Sequence, residues 1–312
     1  MRFFYAVIFS ALIFISLEKV GQSLSSNSII ASEQLTIFQA VILGMIQGLT
    51  EFVPISSTAH LKIIPVVLGW GDPGLAFTAV IQLGSIVSVI WYFWNDLTQI
   101  TVGAYKSIVK SDHQSQDLKM AVGIGLGTIP IVFLGLLIKV FIPDFENSPL
   151  RSTVAIAIAS IVMALLLSMA ELIGRRKRNF EKLDLKDGIL MGMAQALALI
   201  PGVSRSGSTI TGGLFMGLER ATAARFSFLL GLPAITLAGL VELKTLLDEG
   251  FGGVGLVPTI TGILSAIIFS YVAIAWLIKY LQTQDTWIFV WYRLAFGVLI
   301  LIGISGGILQ NI

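Results

Sequence analysis

The sequence has no cysteine, two histidines, and charged residues at only 12% of positions. Each scarcity excludes something. Without cysteine there is no disulfide framework and no thiolate nucleophile or ligand, and the redox compartment is left undecided. Two histidines cannot build a His-rich metal site. With 55% hydrophobic residues and a mean hydropathy of +0.90, a soluble domain of 312 residues is excluded. The apolar runs do not alternate, which excludes a transmembrane barrel. The formal charge of +2 identifies no partner, and the basic residues concentrate in one short loop, so nucleic acid is not an expected ligand.

What is present is a polytopic, all-α membrane protein. Six segments are long and apolar enough to cross a bilayer, roughly 74–94, 118–138, 153–173, 226–241, 258–280 and 289–310. Two further apolar stretches, 36–69 and 188–218, are broken near their middles by Pro54 and by Pro201-Gly202. Each break lies beside a polar cluster, as expected of a re-entrant helical hairpin, because irregular backbone survives at membrane depth only where protein or water surrounds it. The N-terminus stands apart. Arg2 precedes the apolar run FFYAVIFSALIFIS (3–16), which is short for a span and resembles a signal-peptide core or signal anchor, although no small-x-small cleavage site stands out. Residues 1–35 are therefore separated from one integral-membrane domain over 36–312.

Loop charge sets the orientation. The segment 174–187 carries Arg175, Arg176, Lys177, Arg178, Lys182 and Lys186 and is expected to be cytoplasmic. Counting outward, 139–152 is periplasmic, 95–117 is a cytoplasmic loop, and the acidic turn around Glu242, Asp248 and Glu249 lies outside. Each half, about 36–173 and 188–312, then reads as a hairpin followed by three spans, entered from opposite sides. The halves also align: Gln47 with Gln195, Ser56 with Ser204, Ser57 with Arg205, and Phe77 with Phe226. This predicts an inverted-topology repeat with its site between the hairpin tips.

The two clusters, QGLTEFVPISSTAH (47–60) and QALALIPGVSRSGST (195–209), hold the chemistry. Ionisable groups at bilayer depth are costly and mark function. Gln47 and Glu51, four apart, share a helical face; Ser57 and His60, three apart, can do the same after Pro54. Arg205 offers a planar fork suited to phosphate oxygens, the Pro201-Gly202 break lets backbone amides around Val203 to Ser206 face an anion, and Ser204 and Thr209 add hydroxyl donors. Opposite stand a hydroxyl nucleophile, Ser57, a potential base, His60, and a carboxylate, Glu51, able to orient that base or to hold a divalent metal. These parts suffice for phosphoryl transfer. A bland alternative is that Glu51 and Arg205 form only a structural pair. Other hydrolase patterns fail: Thr211 stands where a haloperoxidase-type lipid phosphatase would need histidine, and GVSRSG is not a G-x-S-G protease motif. His113 reads as a solvated loop residue, and Trp91, Trp94, Trp287 and Trp291 as an interfacial belt.

The paired motifs resemble those of the bacterial undecaprenyl-diphosphate phosphatases of the bacitracin-resistance type. The first looks like that family's Glu-containing P-[IV]-S-S-T-x-H signature, the second like its P-G-x-S-R-S-x-x-T signature, and VIQLGSI (80–86) and ARFSFLL (224–230) extend the likeness. The resemblance implies removal of the terminal phosphate of undecaprenyl diphosphate, which recycles the carrier lipid for cell-wall synthesis and gives bacitracin resistance. It implies an inner-membrane location, a site opening toward the periplasm, and dependence on Mg2+ or Ca2+. By motif position it assigns Glu51, Ser57, His60 and Arg205 as essential, with Ser204 and Thr209 lining the phosphate site; Gln47, Ser56 and Ser206 of the same clusters are further candidate substrate contacts. Ser57 is the implied nucleophile, with direct attack by water as the alternative. Glu51 is the metal ligand implied, and Gln47, where many members carry Glu, is the weaker one. A lipid-phosphate transporter or flippase with the same repeat is the competing reading, and a homodimer is left open. A carrier needs charge matching but no nucleophile, so the Ser57, His60 and Glu51 set favours the hydrolase.

Overall fold

A computed structural model describes residues 35–311 except 143, 146, 249, 252 and 253, and within them the chain forms eleven α-helices and no named strand. The signal-like segment expected at 1–35 lies almost wholly outside the described residues. Six helices are long and apolar enough to cross a membrane: α3 (Leu75–Tyr92), α5 (Gln116–Phe141), α6 (Thr153–Ile173), α9 (Arg220–Asp248), α10 (Leu256–Thr283) and α11 (Trp287–Ser305). The chain is a multi-pass membrane protein. All six expected spans are present, several with longer ends than hydropathy suggested.

Two pairs of shorter helices occupy the broken stretches. They are α1 (Ile37–Glu51) with α2 (Ser57–Val67), and α7 (Leu185–Ala196) with α8 (Arg205–Phe215). At about 1.5 Å per residue none of the four reaches the roughly 30 Å of a hydrocarbon core. Each break is built alike. Ser56 and Ser204 cap α2 and α8, accepting from the backbone N–H groups of Ala59 and Gly207, and both adopt left-handed backbone, φ 75° and 72°. A serine in that region is strained and persists where its surroundings hold it.

Small residues let the short helices pack tightly against long ones. α1 lies along α10 and α7 along α5. A methyl group on Gly44 would fall 2.3 Å from the carbonyl oxygen of Gly262, and one on Gly192 would fall 2.2 Å from that of Gly127. Such close approach is what membrane helices use in place of a hydrophobic driving force. α9 packs on α3 and α11 on α6, around an aromatic and aliphatic core that includes Phe52, Phe93, Phe226, Phe228 and Ile274.

One expectation is corrected. The stretch 95–117, read as a loop, contains a further helix, α4 (Trp94–Val109). It buries Ile100, Ala104 and Ser107 and exposes most of its other residues, so its average hydropathy concealed an amphipathic helix. The basic segment is also more ordered than a solvated loop. The backbone N–H groups of Lys177 and Arg178 donate to the Gly217 carbonyl, and the Arg178 guanidinium grips Asp187 at 2.5 and 2.8 Å. Arg176 and Arg220 both pair with the buried Glu171. His113 is exposed, as are Trp91, Trp94 and Trp291, in keeping with their expected settings.

Candidate active site

The last residue of α1, Glu51, is the centre of the site. It is only 7% exposed, and both carboxylate oxygens are engaged. Oε1 accepts from Arg205 Nη2 at 3.1 Å, so the ion pair crosses from the first pair of short helices to the second. Oε2 accepts from the Ser57 hydroxyl at 2.7 Å and from Gln47 Nε2 at 2.9 Å. Gln47 continues into a polar chain, with its Nε2 3.4 Å from Ser85 Oγ and the Ser270 hydroxyl donating to Ser85 at 2.8 Å. Glu51, Gln47, Ser57 and Arg205 are thus brought together as the sequence suggested.

The hydrogen-bond partners of His60 differ from those expected. It is not paired with Ser57, and Glu51 does not orient it. Its Nδ1 lies 2.7 Å from the Ser56 carbonyl, which can only accept, so Nδ1 carries the proton there. Nε2 is then the acceptor for the Tyr292 hydroxyl at 2.7 Å. The ring stacks on Phe296 with centroids 4.4 Å apart. The helical turn from Ser57 to His60 sends the two side chains to different neighbours: the serine toward α1, the imidazole toward α11.

Hydroxyls of the second cluster are largely committed to the protein. Thr209 is fully buried; its Oγ1 lies 2.8 Å from the Arg205 carbonyl and 2.6 Å from Ser227 Oγ. Ser206 Oγ lies 3.2 Å from the carbonyls of Glu51 and Val53, tying the two breaks together. Ser204 Oγ caps α8 and Ser56 Oγ caps α2 beside Thr58. These four residues therefore shape the site, and Arg205 is the main free-handed donor. Arg205 Nη1 donates to the Ser227 carbonyl at 3.0 Å, while its Nε is buried with no hydrogen-bond partner among the described residues. The guanidinium carbon also sits 5.8 Å from the centroid of the Phe52 ring.

A second unspent atom bears on the implied cation. Gln47 Oε1 is buried without a hydrogen-bond partner among the described residues, while Nε2 of the same amide donates to the Glu51 carboxylate. A carboxylate and an amide oxygen are suitable ligands for a hard divalent ion that completes its shell with water and phosphate oxygens. Among the described residues no group of three acidic, histidine or cysteine side chains forms a preassembled metal cage.

Two residues that the sequence reading passed over belong to this region, Tyr292 and Arg293 in α11. Arg293 is 1% exposed, and its guanidinium donates to the carbonyls of Ser160, Pro54 and Gly202. A lone arginine inside an apolar span was the available signal.

The architecture and site define a class: a multi-pass helical membrane protein with a buried carboxylate bridging a hydroxyl and a guanidinium. Residues 40–299 match the family described as Bacitracin resistance protein BacA, and the chain belongs to that family. An undecaprenyl-diphosphatase of Trichodesmium erythraeum (strain IMS101) is 81% identical over 311 residues, spanning the whole of both chains. Those of Nostoc sp. (strain PCC 7120) and Synechocystis sp. (strain PCC 6803) are 66% and 62% identical, covering 89% and 93% of this chain and 87% and 88% of theirs.

The pairing of Glu51 with Arg205 predicts strong energetic coupling. Glu51→Leu leaves a buried guanidinium without its counter-charge and should destabilise the protein by about 3–5 kcal/mol. Adding Arg205→Met should restore most of that loss, read as thermal unfolding in detergent. Losses that simply add in the double variant would show that the two charges do not depend on one another.

Proposed function

We propose that this chain hydrolyses undecaprenyl diphosphate to undecaprenyl phosphate and inorganic phosphate, recycling the carrier lipid for cell-wall synthesis and conferring bacitracin resistance. The family and the names of its relatives support the reaction. The observation that carries the mechanism is that the Ser57 hydroxyl and the Arg205 guanidinium meet on one carboxylate, Glu51.

Glu51 accepts the Ser57 proton as Ser57 Oγ attacks the terminal phosphorus. The bond from that phosphorus to the bridging oxygen breaks, and the proton passes to the departing undecaprenyl phosphate. Water then attacks the phosphoserine, Glu51 takes a proton from it and returns it to Ser57 Oγ, and inorganic phosphate is released. Arg205 places its unpartnered Nε–H and its remaining N–H groups on the phosphate oxygens, where charge grows in the transition state. His60, held between the Ser56 carbonyl and Tyr292, keeps the first turn of α2 in place rather than taking the serine proton. Glu51 and Gln47 Oε1 would hold the divalent cation, Mg2+ or Ca2+, whose chemistry is neutralisation of diphosphate charge. A carrier has no use for a hydroxyl hydrogen-bonded to a carboxylate base, so the hydrolase reading is preferred.

The hairpins are re-entrant and the two halves form an inverted-topology repeat in the bacterial plasma membrane, with the site open to the periplasmic side. Support comes from the matching left-handed caps at Ser56 and Ser204, from the parallel packing of α1 on α10 and α7 on α5, and from the basic segment 174–187.

Steady-state phosphate release from undecaprenyl diphosphate by purified protein tests the activity. Arg205→Lys keeps the charge and loses the fork. It should lower turnover at least about tenfold, roughly 1.4 kcal/mol of transition-state stabilisation. Chelator should stop release and added Mg2+ restore it. Wild-type turnover in Arg205→Lys would leave the arginine as a mere counter-charge for Glu51, and release indifferent to chelator would remove the cation from the scheme.

For topology, single cysteines placed at Lys177 and at Asp248 of this cysteine-free chain should react with impermeant reagents from opposite sides of the membrane. Labelling of both from one side would contradict the inverted arrangement.

A further inference from the structure

Among the described residues Arg293 is the largest fully buried side chain, and it belongs to neither polar cluster. Its Nη2 donates to the Gly202 carbonyl at 2.7 Å, its Nη1 to the Pro54 carbonyl at 3.2 Å and its Nε to the Ser160 carbonyl at 3.2 Å. All three acceptors are neutral, and among the described residues Arg293 forms no ion pair. A buried guanidinium without a counter-charge is a poor way to stabilise a fold, since an apolar side chain of similar volume usually does better. What the guanidinium does that an apolar group cannot is fix the relative position of its acceptors.

Those acceptors are informative. Pro54 and Gly202 occupy the same place in the two breaks. Each lies two residues before the left-handed cap, Ser56 or Ser204, and three before the functional side chain, Ser57 or Arg205. Arg293 also lies against the first turn of α8: its Nη1 is 3.1 Å from the point where a methyl on Gly207 would sit. One planar group therefore bridges the loop that presents Ser57 and the loop that presents Arg205. The neighbouring residue on α11, Tyr292, bonds His60 Nε2, so the same turn of α11 also fixes the imidazole behind Ser57.

We propose that Arg293 is a positioning residue for phosphoryl transfer, clamping the corresponding carbonyls Pro54 and Gly202 so that Ser57 and Arg205 are held at the spacing the reaction needs. The proposal rests on the hydrolase reading given above. It acts through geometry: a displacement of about 1 Å between reacting groups can lower rate on the order of a hundredfold. Lysine carries the same charge on a single point and cannot bridge two carbonyls in a fixed plane.

The test measures phosphate release from undecaprenyl diphosphate and thermal unfolding in detergent for wild type, Arg293→Lys, Arg293→Gln, Arg205→Lys and the double variant Arg293→Lys/Arg205→Lys. Arg293→Lys should lose at least about tenfold in kcat with KM within about threefold of wild type and a near-normal melting temperature. In the double variant the loss should be smaller than the product of the two single losses, because Arg205 is no longer held where its fork matters. Near-wild-type kcat in Arg293→Lys overturns the proposal. So does a loss that tracks the loss of folded protein and multiplies with Arg205→Lys. Failure of both Arg293 variants to fold assigns the residue to the fold alone and also overturns it. A wild-type chain that releases no phosphate is a separate result: it removes the hydrolase reading, and this proposal with it.

Discussion

A carboxylate and a guanidinium cannot each be buried alone in an apolar interior, and most of this structure follows from burying them together. Glu51 ends one short helix and Arg205 begins another, and their pairing at 3.1 Å requires two separate breaks in the helical framework to meet. Breaking backbone at that depth frees carbonyls and amides that water cannot reach. The protein satisfies them internally: serine caps at 56 and 204, Ser206 against the carbonyls of Glu51 and Val53, and Arg293 against those of Pro54 and Gly202. Charge pairing, loop strain and buried arginine form one connected arrangement.

That arrangement also separates what is spent from what is available. Most hydroxyls near the site already serve the backbone. Among the described residues, the buried side-chain atoms of the two clusters left without a hydrogen-bond partner are Arg205 Nε, Gln47 Oε1 and both amide atoms of Gln195. In the proposed mechanism Arg205 Nε would donate to a phosphate oxygen and Gln47 Oε1 would serve the accompanying divalent cation. Glu51 holds both the arginine and the serine hydroxyl, and in the proposed mechanism the same carboxylate would receive the serine proton and contribute to cation binding.

Much of the architecture was legible in the sequence because spans advertise themselves by length and composition, and Pro54 and Pro201 mark the breaks directly. α4 was not, because its burial is confined to one face and averages away. The site was legible as a set of residues but not as a set of partners. Ser57 and His60 are three apart, which suggested a direct pair. Whether such neighbours meet is decided by the helices packed on either side: α1 brings Glu51 to Ser57, and α11 brings Tyr292 to His60. Arg293 shows the opposite failure. It is conspicuous in its span, yet its meaning lies in acceptors 91 and 239 residues away, which only the fold brings together.

The proposed mechanism requires Ser57 to receive the phosphoryl group while Glu51 receives its proton. The most direct measurement is a rapid-quench experiment with undecaprenyl diphosphate labelled in its terminal phosphate, followed by peptide mapping of the acid-quenched protein. Label covalently attached at Ser57 during the first turnover is the predicted result. Full release of labelled phosphate with none attached to the protein at any time would contradict it and leave direct attack by water as the mechanism.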